Sequence, residues 1–153
     1  VPETSERSNT RLLRERLLRG RAAQARLVPL YAPADQPEAM LEALEDGLKP
    51  YLPISVLLLG MGADMHTASL FPGADRLEDA LSPSAPILLP MRAEAAGEPR
   101  ITLTARTLRE AFNIHVLITG PDKRAALERA MTLTPMEAPV RAILDNATVH
   151  WAE

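Results

Sequence analysis

The stretch Ile54-Ser55-Val56-Leu57-Leu58-Leu59-Gly60-Met61-Gly62-Ala63-Asp64-Met65-His66-Thr67-Ala68-Ser69 decides the fold interpretation of this sequence. Residues 54–59 are nearly all apolar, which is typical of a strand buried on both faces of a parallel sheet. The run then changes at Gly60 into a segment with two glycines, a carboxylate and an imidazole. Ligands of open α/β sheets bind beyond the carboxyl ends of strands, so segment 60–69 is the first candidate site.

Outside this stretch, strand and helix patterns alternate along the chain. A second buried strand is predicted over 112–119, and it closes on Gly120-Pro121-Asp122-Lys123 at the start of a helix over about 122–131. The order predicts an α/β fold with a mostly parallel, Rossmann-like sheet flanked by helices. A length of 153 residues fits one domain, 1–153. Further helices are predicted over 9–19, 37–49, 105–111 and 139–144, and further strands over 27–31, 87–89, 101–104 and 148–151.

Composition excludes several classes of function. A net charge of −3 argues against a broadly basic nucleic-acid binder, and 3% aromatic residues leave no stacking platform for bases. No apolar run approaches the roughly 18 residues of a membrane helix. Because the chain has no cysteine, disulfides, thiolate zinc sites and a catalytic thiol are excluded. No signal peptide is visible, and a cytoplasmic location is expected.

The segment after the first strand carries an acid and an imidazole two residues apart. An imidazole titrates near neutral pH, so His66 is a candidate general base. Asp64 could orient that ring, stabilise its protonated form or hold a substrate hydroxyl. Gly60 and Gly62 allow the backbone to approach a ligand closely. A capping aspartate and a structural histidine on a turn explain the same residues, and the spacing alone leaves both readings open.

The remaining candidates are isolated charged or imidazole side chains. Lys123, at the opening of a helix, suits an anion because helix N-termini favour negative charge. Arg100, before a strand, is a second candidate phosphate ligand; a surface role is the alternative for both. His115 and His150 are predicted to be structural. Three scattered histidines at no recognised spacing do not make a metal site.

The segment 59–73 resembles the signature of the 6-phosphogluconolactonases, which reads Gly-x-Gly-x-Asp-Gly-His-Thr-Ala-Ser-Leu-Phe-Pro. Other segments agree with the family in order and spacing, so the resemblance covers essentially the whole chain. They are Val1-Pro2 with Ser8-Asn9, Arg100-Ile101-Thr102-Leu103-Thr104, Thr119-Gly120-Pro121-Asp122-Lys123 and Val149-His150-Trp151.

The chain departs from the family pattern in two ways. Met65 stands where the family usually has glycine, so a positive φ there would either strain Met65 or shift the loop. The chain also starts inside the family pattern, so residues 1–153 are expected to be the C-terminal portion of the family domain. A chain without the N-terminal segment is expected to expose apolar surface, and that segment is a possible partner.

The resemblance implies hydrolysis of 6-phospho-D-glucono-1,5-lactone to 6-phospho-D-gluconate in the oxidative pentose phosphate pathway. In this reading His66 takes a proton from water, Asp64 orients His66 or the sugar hydroxyls, and N–H groups near Gly60 and Gly62 stabilise the oxyanion. Lys123 holds the phosphate, with Arg100 as the weaker candidate. No metal or organic cofactor is implied, because a lactone ester is already activated.

Two alternatives stay open beside the lactonase. An amino-sugar-6-phosphate deaminase/isomerase shares the Gly-x-Gly-x-Asp-Gly-His loop but places an acid shortly after the histidine. Residues 67–73 contain no acid, which favours the lactonase. A non-catalytic sugar-phosphate-binding domain is the other alternative, suggested by Met65 and by the late start of the chain.

Overall fold

The computed structural model describes residues 1–153 as an α/β structure with two sheets. Short 3₁₀ turns occupy Gly20–Gln24, Pro37–Met40, Lys49–Tyr51 and Glu94–Ala96. The helices are α1 (Asn9–Arg16), α2 (Leu41–Leu48), α3 (Leu77–Leu81), α4 (Ala105–Arg109), α5 (Pro121–Ala130) and α6 (Arg141–Leu144). The strands are β1 (Leu57–Gly60), β2 (Leu88–Met91), β3 (Arg100–Leu103), β4 (Ile114–Thr119) and β5 (Ala147–Ala152).

The larger sheet is parallel throughout, with the strand order β1-β4-β5. Gly60, the last residue of β1, lies opposite Leu117 of β4, and the register places His150 of β5 on the other side of Leu117. Because all three strands run the same way, their carboxyl ends meet at one edge. The segments after β1 and β4, which the sequence singles out as candidate sites, therefore leave the sheet at that edge.

Only one face of the parallel sheet is covered by helices. Ile114, Val116 and Ile118 of β4 are buried on that face, where α5 packs on β4 and α6 on β5. On the opposite face Leu58 is 64% exposed and Leu117 is 49% exposed. The prediction of a first strand buried on both faces is therefore wrong, and the expected exposure of apolar surface is confirmed. Hydrophobicity along a strand does not say which element covers each face.

The second sheet is an antiparallel hairpin, in which Leu88 of β2 lies opposite Leu103 of β3 and Met91 opposite Arg100. The expected fold class, mostly parallel α/β, is confirmed with this hairpin as the exception. The N–H of Leu88 donates to the carboxylate of Glu45 at 2.9 Å, so a side chain of α2 occupies a donor of the hairpin.

Two local expectations need correction. Residues 27–31 form no strand, since Pro29 lacks an N–H and no neighbouring strand pairs with them. Helix α1 begins as predicted, with the Ser8 hydroxyl accepting a hydrogen bond from the Arg11 N–H at 3.2 Å, but it ends at Arg16 rather than 19. Its leucines, Leu12 and Leu13, are exposed, and none of its residues is buried.

No helix of the structure is both long enough and apolar enough to cross a bilayer. The longest, α5, has ten residues. A bilayer-spanning helix needs about 20.

Candidate active site

The chain leaves β1 at Gly60 and closes into a compact loop at the carboxyl edge of the parallel sheet. The N–H of Gly62 donates to the carbonyl of His66 at 3.0 Å, and the N–H of Met65 donates to the carbonyl of Gly62 at 2.9 Å. The Thr67 hydroxyl donates to the Gly60 carbonyl at 2.9 Å. These three bonds fasten the loop to itself and to the end of β1, so His66 is carried by a well-defined turn.

Asp64 and His66 form a hydrogen-bonded pair within this loop. The Asp64 Oδ1 lies 2.6 Å from the His66 Nδ1 and also accepts from the His66 N–H at 3.2 Å. When the carboxylate accepts in this contact, Nδ1 carries the proton, and a neutral ring then presents its lone pair at Nε2. The His66 side chain is 31% exposed, which leaves it within reach of water. The contact that the spacing left open is thus present.

The pair exists because residue 62 has no side chain. A Cβ at Gly62 would collide with the Asp64 carboxylate and with the His66 ring. At Gly60 the corresponding position is open space, with no atom within 4 Å. The two glycines therefore serve different ends: Gly62 makes room for the Asp64–His66 pair, and Gly60 leaves room beside the loop.

Two residues of the loop adopt left-handed backbone conformations that non-glycine residues rarely take. Met65 has φ +68° and Ala68 has φ +51°. Met65 stands where the family pattern usually has glycine, and the backbone has a positive φ at this position. The Met65 side chain is buried in the core, and its carbonyl accepts from the Val140 N–H at 3.1 Å. Core burial and a backbone bond therefore hold a conformation that costs about 1–2 kcal/mol for an L-residue.

An aromatic ring and the hairpin support the loop from another direction. Phe71 is buried and stacks on His66, with 4.3 Å between ring centroids and 28° between the planes. The Arg100 guanidinium lies 5.9 Å from the Phe71 ring centroid and also faces the Ala96 carbonyl at 3.4 Å. Arg100 is thus close to the His66 loop through Phe71.

Lys123 lies in the first turn of α5, after the neighbouring strand β4. It is half-buried and has no carboxylate within 4.0 Å, so its ammonium is not neutralised by an ion pair. Gly120 stands at the N-cap position, directly before α5, with φ +84°, and no side chain caps the helix. The unpaired ammonium and the uncapped N–H groups together suit an anion. The structure shows no direct contact between Lys123 and the Asp64–His66 pair.

The other histidines meet on the uncovered face of the sheet, away from the loop. The Nδ1 of His115 lies 3.0 Å from the Nε2 of His150. No group of three or more histidine, aspartate or glutamate side chains in the structure could hold a metal ion.

Elsewhere in the chain, Arg92 donates a hydrogen bond to the Glu38 carboxylate and lowers the pKa of that group. The same ion pair connects the Pro37–Met40 turn to the end of β2.

The sequence analysis missed several residues that shape the site. It gave no role to the ring of Phe71, the hydroxyl of Thr67 or the N–H of Val140. The first two lie inside the quoted motif, where alternation and spacing carry no signal for ring stacking or for a bond back to Gly60. Val140 is far along the chain, and only the tertiary fold brings it to Met65.

Comparison with known protein families gives a match over nearly the whole chain. A family model described as glucosamine-6-phosphate isomerases/6-phosphogluconolactonase matches residues 1–151. The 6-phosphogluconolactonase of Rhizobium meliloti is 43% identical over 99% of this chain and 68% of its own length. The 6-phosphogluconolactonase of Pseudomonas aeruginosa is 42% identical over 99% of this chain and 65% of its own length.

Solved structures give the same relationship. The crystal structure of a 6-phosphogluconolactonase from Shewanella baltica superposes with a TM-score of 0.94 at 30% identity, covering 100% of this chain and 68% of that one. The enzyme from Thermotoga maritima superposes with a TM-score of 0.75 at 26% identity, covering 99% and 67%. The chain spans about two thirds of the length of these relatives.

Proposed function

This chain belongs to the family of glucosamine-6-phosphate isomerases and 6-phosphogluconolactonases, and we propose that it hydrolyses 6-phospho-D-glucono-1,5-lactone to 6-phospho-D-gluconate. The observation that carries the proposal is the Asp64–His66 pair, held at 2.6 Å inside a loop that follows the lactonase signature. The relatives that match at 42–43% identity are themselves named 6-phosphogluconolactonases.

In the proposed reaction His66 acts as the general base. The Asp64 carboxylate keeps the proton on Nδ1, so the Nε2 lone pair accepts a proton from water while the water oxygen attacks the lactone carbonyl carbon. The positive charge that develops on the imidazole lies against the Asp64 carboxylate. Phe71 limits rotation of the ring through its stacking contact.

Ring opening returns the proton and balances the reaction. The tetrahedral intermediate collapses, the bond between the carbonyl carbon and the ring oxygen breaks, and the imidazolium gives its proton to the leaving ring oxygen. One water is consumed, and the acid product ionises at neutral pH. The proposed step uses no oxidant and no second substrate.

Backbone donors of the loop are the proposed stabilisers of the oxyanion. The Gly62 N–H is already bonded to the His66 carbonyl, so it is not free for this role. The N–H groups of Met61, Ala63 and Asp64 have no acceptor within the protein. We assign the oxyanion to donors of this set, since unpaired N–H groups stabilise a developing negative charge without reorganisation.

Lys123 is the proposed ligand of the substrate phosphate. Its ammonium has no competing carboxylate, and the open N-terminus of α5 adds N–H donors beside it. Arg100 is the weaker candidate, because its guanidinium is shared with the Ala96 carbonyl and with Glu98 at 3.5 Å. Lys123 and the His66 loop follow neighbouring parallel strands, β4 and β1, and so leave the sheet at the same edge.

The test compares substrates on the 153-residue chain, with the Rhizobium meliloti enzyme as positive control. Proton release is followed with fresh 6-phosphogluconolactone, unphosphorylated gluconolactone and glucosamine 6-phosphate, each corrected for spontaneous reaction. Faster opening of the phosphorylated lactone alone supports the proposal. Ammonia release from glucosamine 6-phosphate would instead identify an isomerase, and binding of 6-phosphogluconate without turnover a sugar-phosphate-binding domain. A cytoplasmic location and a place in the pentose phosphate pathway remain predictions.

A further inference from the structure

Thr67, the residue directly after His66, has a fully buried hydroxyl-bearing side chain. Its Oγ1 donates to the carbonyl of Gly60, seven residues earlier, at 2.9 Å. Gly60 is the last residue of β1 and is paired with β4 in the parallel sheet. One side-chain bond therefore connects the rigid end of the sheet to the residue beside the proposed base.

The other hydrogen bonds of the loop have roles that differ from that of the Thr67 bond. The Gly62–His66 backbone bond and the Asp64 contacts set the conformation inside the turn. They do not fix how the turn is placed relative to β1. On the far side, the Ser69 N–H donates to the Thr102 hydroxyl at 3.2 Å and so fastens the following residues to the hairpin. The Thr67 hydroxyl is the corresponding attachment to the parallel sheet.

We propose that Thr67 is a positioning residue for His66, holding the Asp64–His66 turn at a fixed distance from the end of β1 through its bond to the Gly60 carbonyl. This inference rests on the proposed function and deepens it. Thr67 itself touches no substrate in this scheme. A displacement of about 1 Å at a catalytic group is enough to cost about 100-fold in rate, so the loss of one of the bonds that hold the loop has a measurable effect.

The main variant is Thr67→Val, which keeps the branched shape and replaces the hydroxyl by a methyl group. A methyl group cannot donate to the Gly60 carbonyl and needs more space than a hydrogen-bonded oxygen, so the turn must shift. We expect kcat to fall about 10- to 100-fold, with KM close to the wild-type value because Lys123 is unaffected. Thr67→Ser keeps the donor and loses the methyl group, so kcat should return toward wild type although the melting temperature falls.

Thr107→Val is the matched control for a buried hydroxyl. Thr107 is also buried, and its hydroxyl donates to the Ile87 carbonyl at 3.3 Å and makes no hydrogen bond to the His66 loop. We expect this variant to lower the melting temperature and leave kcat unchanged. Wild-type kcat in Thr67→Val, equal losses in Thr67→Ser, or an equal loss in Thr107→Val would each overturn the inference.

An NMR measurement separates this inference from the proposed function. The His66 Nδ1 proton, hydrogen-bonded to Asp64, should shift in Thr67→Val and return in Thr67→Ser. If the wild-type chain does not hydrolyse the lactone, the proposed function fails, and the resonance alone decides whether Thr67 positions His66. An unchanged His66 resonance in Thr67→Val would then refute the positioning role.

Discussion

Replacing Gly62 by alanine is the sharpest local perturbation of the site. The backbone of Gly62 is not left-handed, so alanine is compatible with its conformation. The added methyl group, however, would overlap both the Asp64 carboxylate and the His66 ring. Nonbonded carbon atoms settle about 3.5–4.0 Å apart, so the ring or the carboxylate must withdraw.

The expected magnitude follows from that displacement. Withdrawal by about 1 Å corresponds to a loss of about 100-fold in kcat, or about 2.7 kcal/mol in the activation barrier. The free energy of unfolding should fall by only about 1 kcal/mol, because the broken bonds are at the surface. Activity should therefore fall much more than stability.

The assay measures kcat for phosphogluconolactone hydrolysis beside the free energy of unfolding in urea. Gly47→Ala is the matched control, since Gly47 lies in α2 with no atom within 4 Å of its Cβ position. That control should keep its activity and gain about 0.5–1 kcal/mol of stability. Full activity in Gly62→Ala would refute the reasoning that the Asp64–His66 geometry sets the rate.

Three further predictions concern other parts of the chain. Lys123→Gln should raise KM about tenfold with kcat nearly unchanged, as expected for losing a charge-assisted hydrogen bond worth about 1.5 kcal/mol; steady-state kinetics test it, and an unchanged KM would argue against a phosphate role. Met65→Gly relieves the positive φ, worth about 1–2 kcal/mol, but removes a buried side chain worth about 2–5 kcal/mol. A net loss of up to about 4 kcal/mol is therefore expected in urea unfolding, and a gain would show that strain outweighs burial. Hydrogen bonds from the Thr134 N–H and hydroxyl lower the pKa of Glu137 in the folded state. The stabilisation from these bonds is therefore present above the pKa of Glu137 in the unfolded state, and it is lost as the pH falls through the pKa in the folded state. Melting temperatures of Glu137→Gln and wild type should accordingly differ near neutral pH and converge in acid, and a constant difference would contradict this assignment.

Local sequence patterns predicted most of the elements because each depends on neighbouring residues. The apolar β-formers of 112–119 predicted strand β4, and the Gly120-Pro121 pair predicted the start of helix α5. The start of α1 is equally local, since the Ser8 hydroxyl that caps it lies three residues before the Arg11 N–H. These features need no information from distant parts of the chain.

Features that depend on distant partners were harder to predict from the sequence. The apolar run at Leu57 to Leu59 resembles a strand covered on both faces, yet Leu58 is exposed because no element of this chain lies over it. Residues 27–31 have strand-like composition but no neighbouring strand to pair with. Pairing and coverage are properties of the tertiary fold and leave no periodic signal in one segment.

The candidate site also combines features that local sequence predicts with features that depend on the folded backbone. The motif selected Asp64 and His66, but a spacing of two residues did not say whether they touch. Their contact depends on the missing side chain at Gly62 and on the left-handed backbone at Met65. The roles assigned to these residues and to Lys123 remain predictions.

The most direct test of the proposed base compares wild type with His66→Ala. Hydrolysis of fresh 6-phosphogluconolactone is measured against the spontaneous rate, and 6-phosphogluconate binding is measured by calorimetry on the same samples. We predict that the wild-type chain accelerates ring opening and that His66→Ala falls to the spontaneous rate while still binding the product. Equal acceleration by both proteins, or a folded wild-type chain that binds the product without accelerating hydrolysis, would contradict the assignment of His66 as the base.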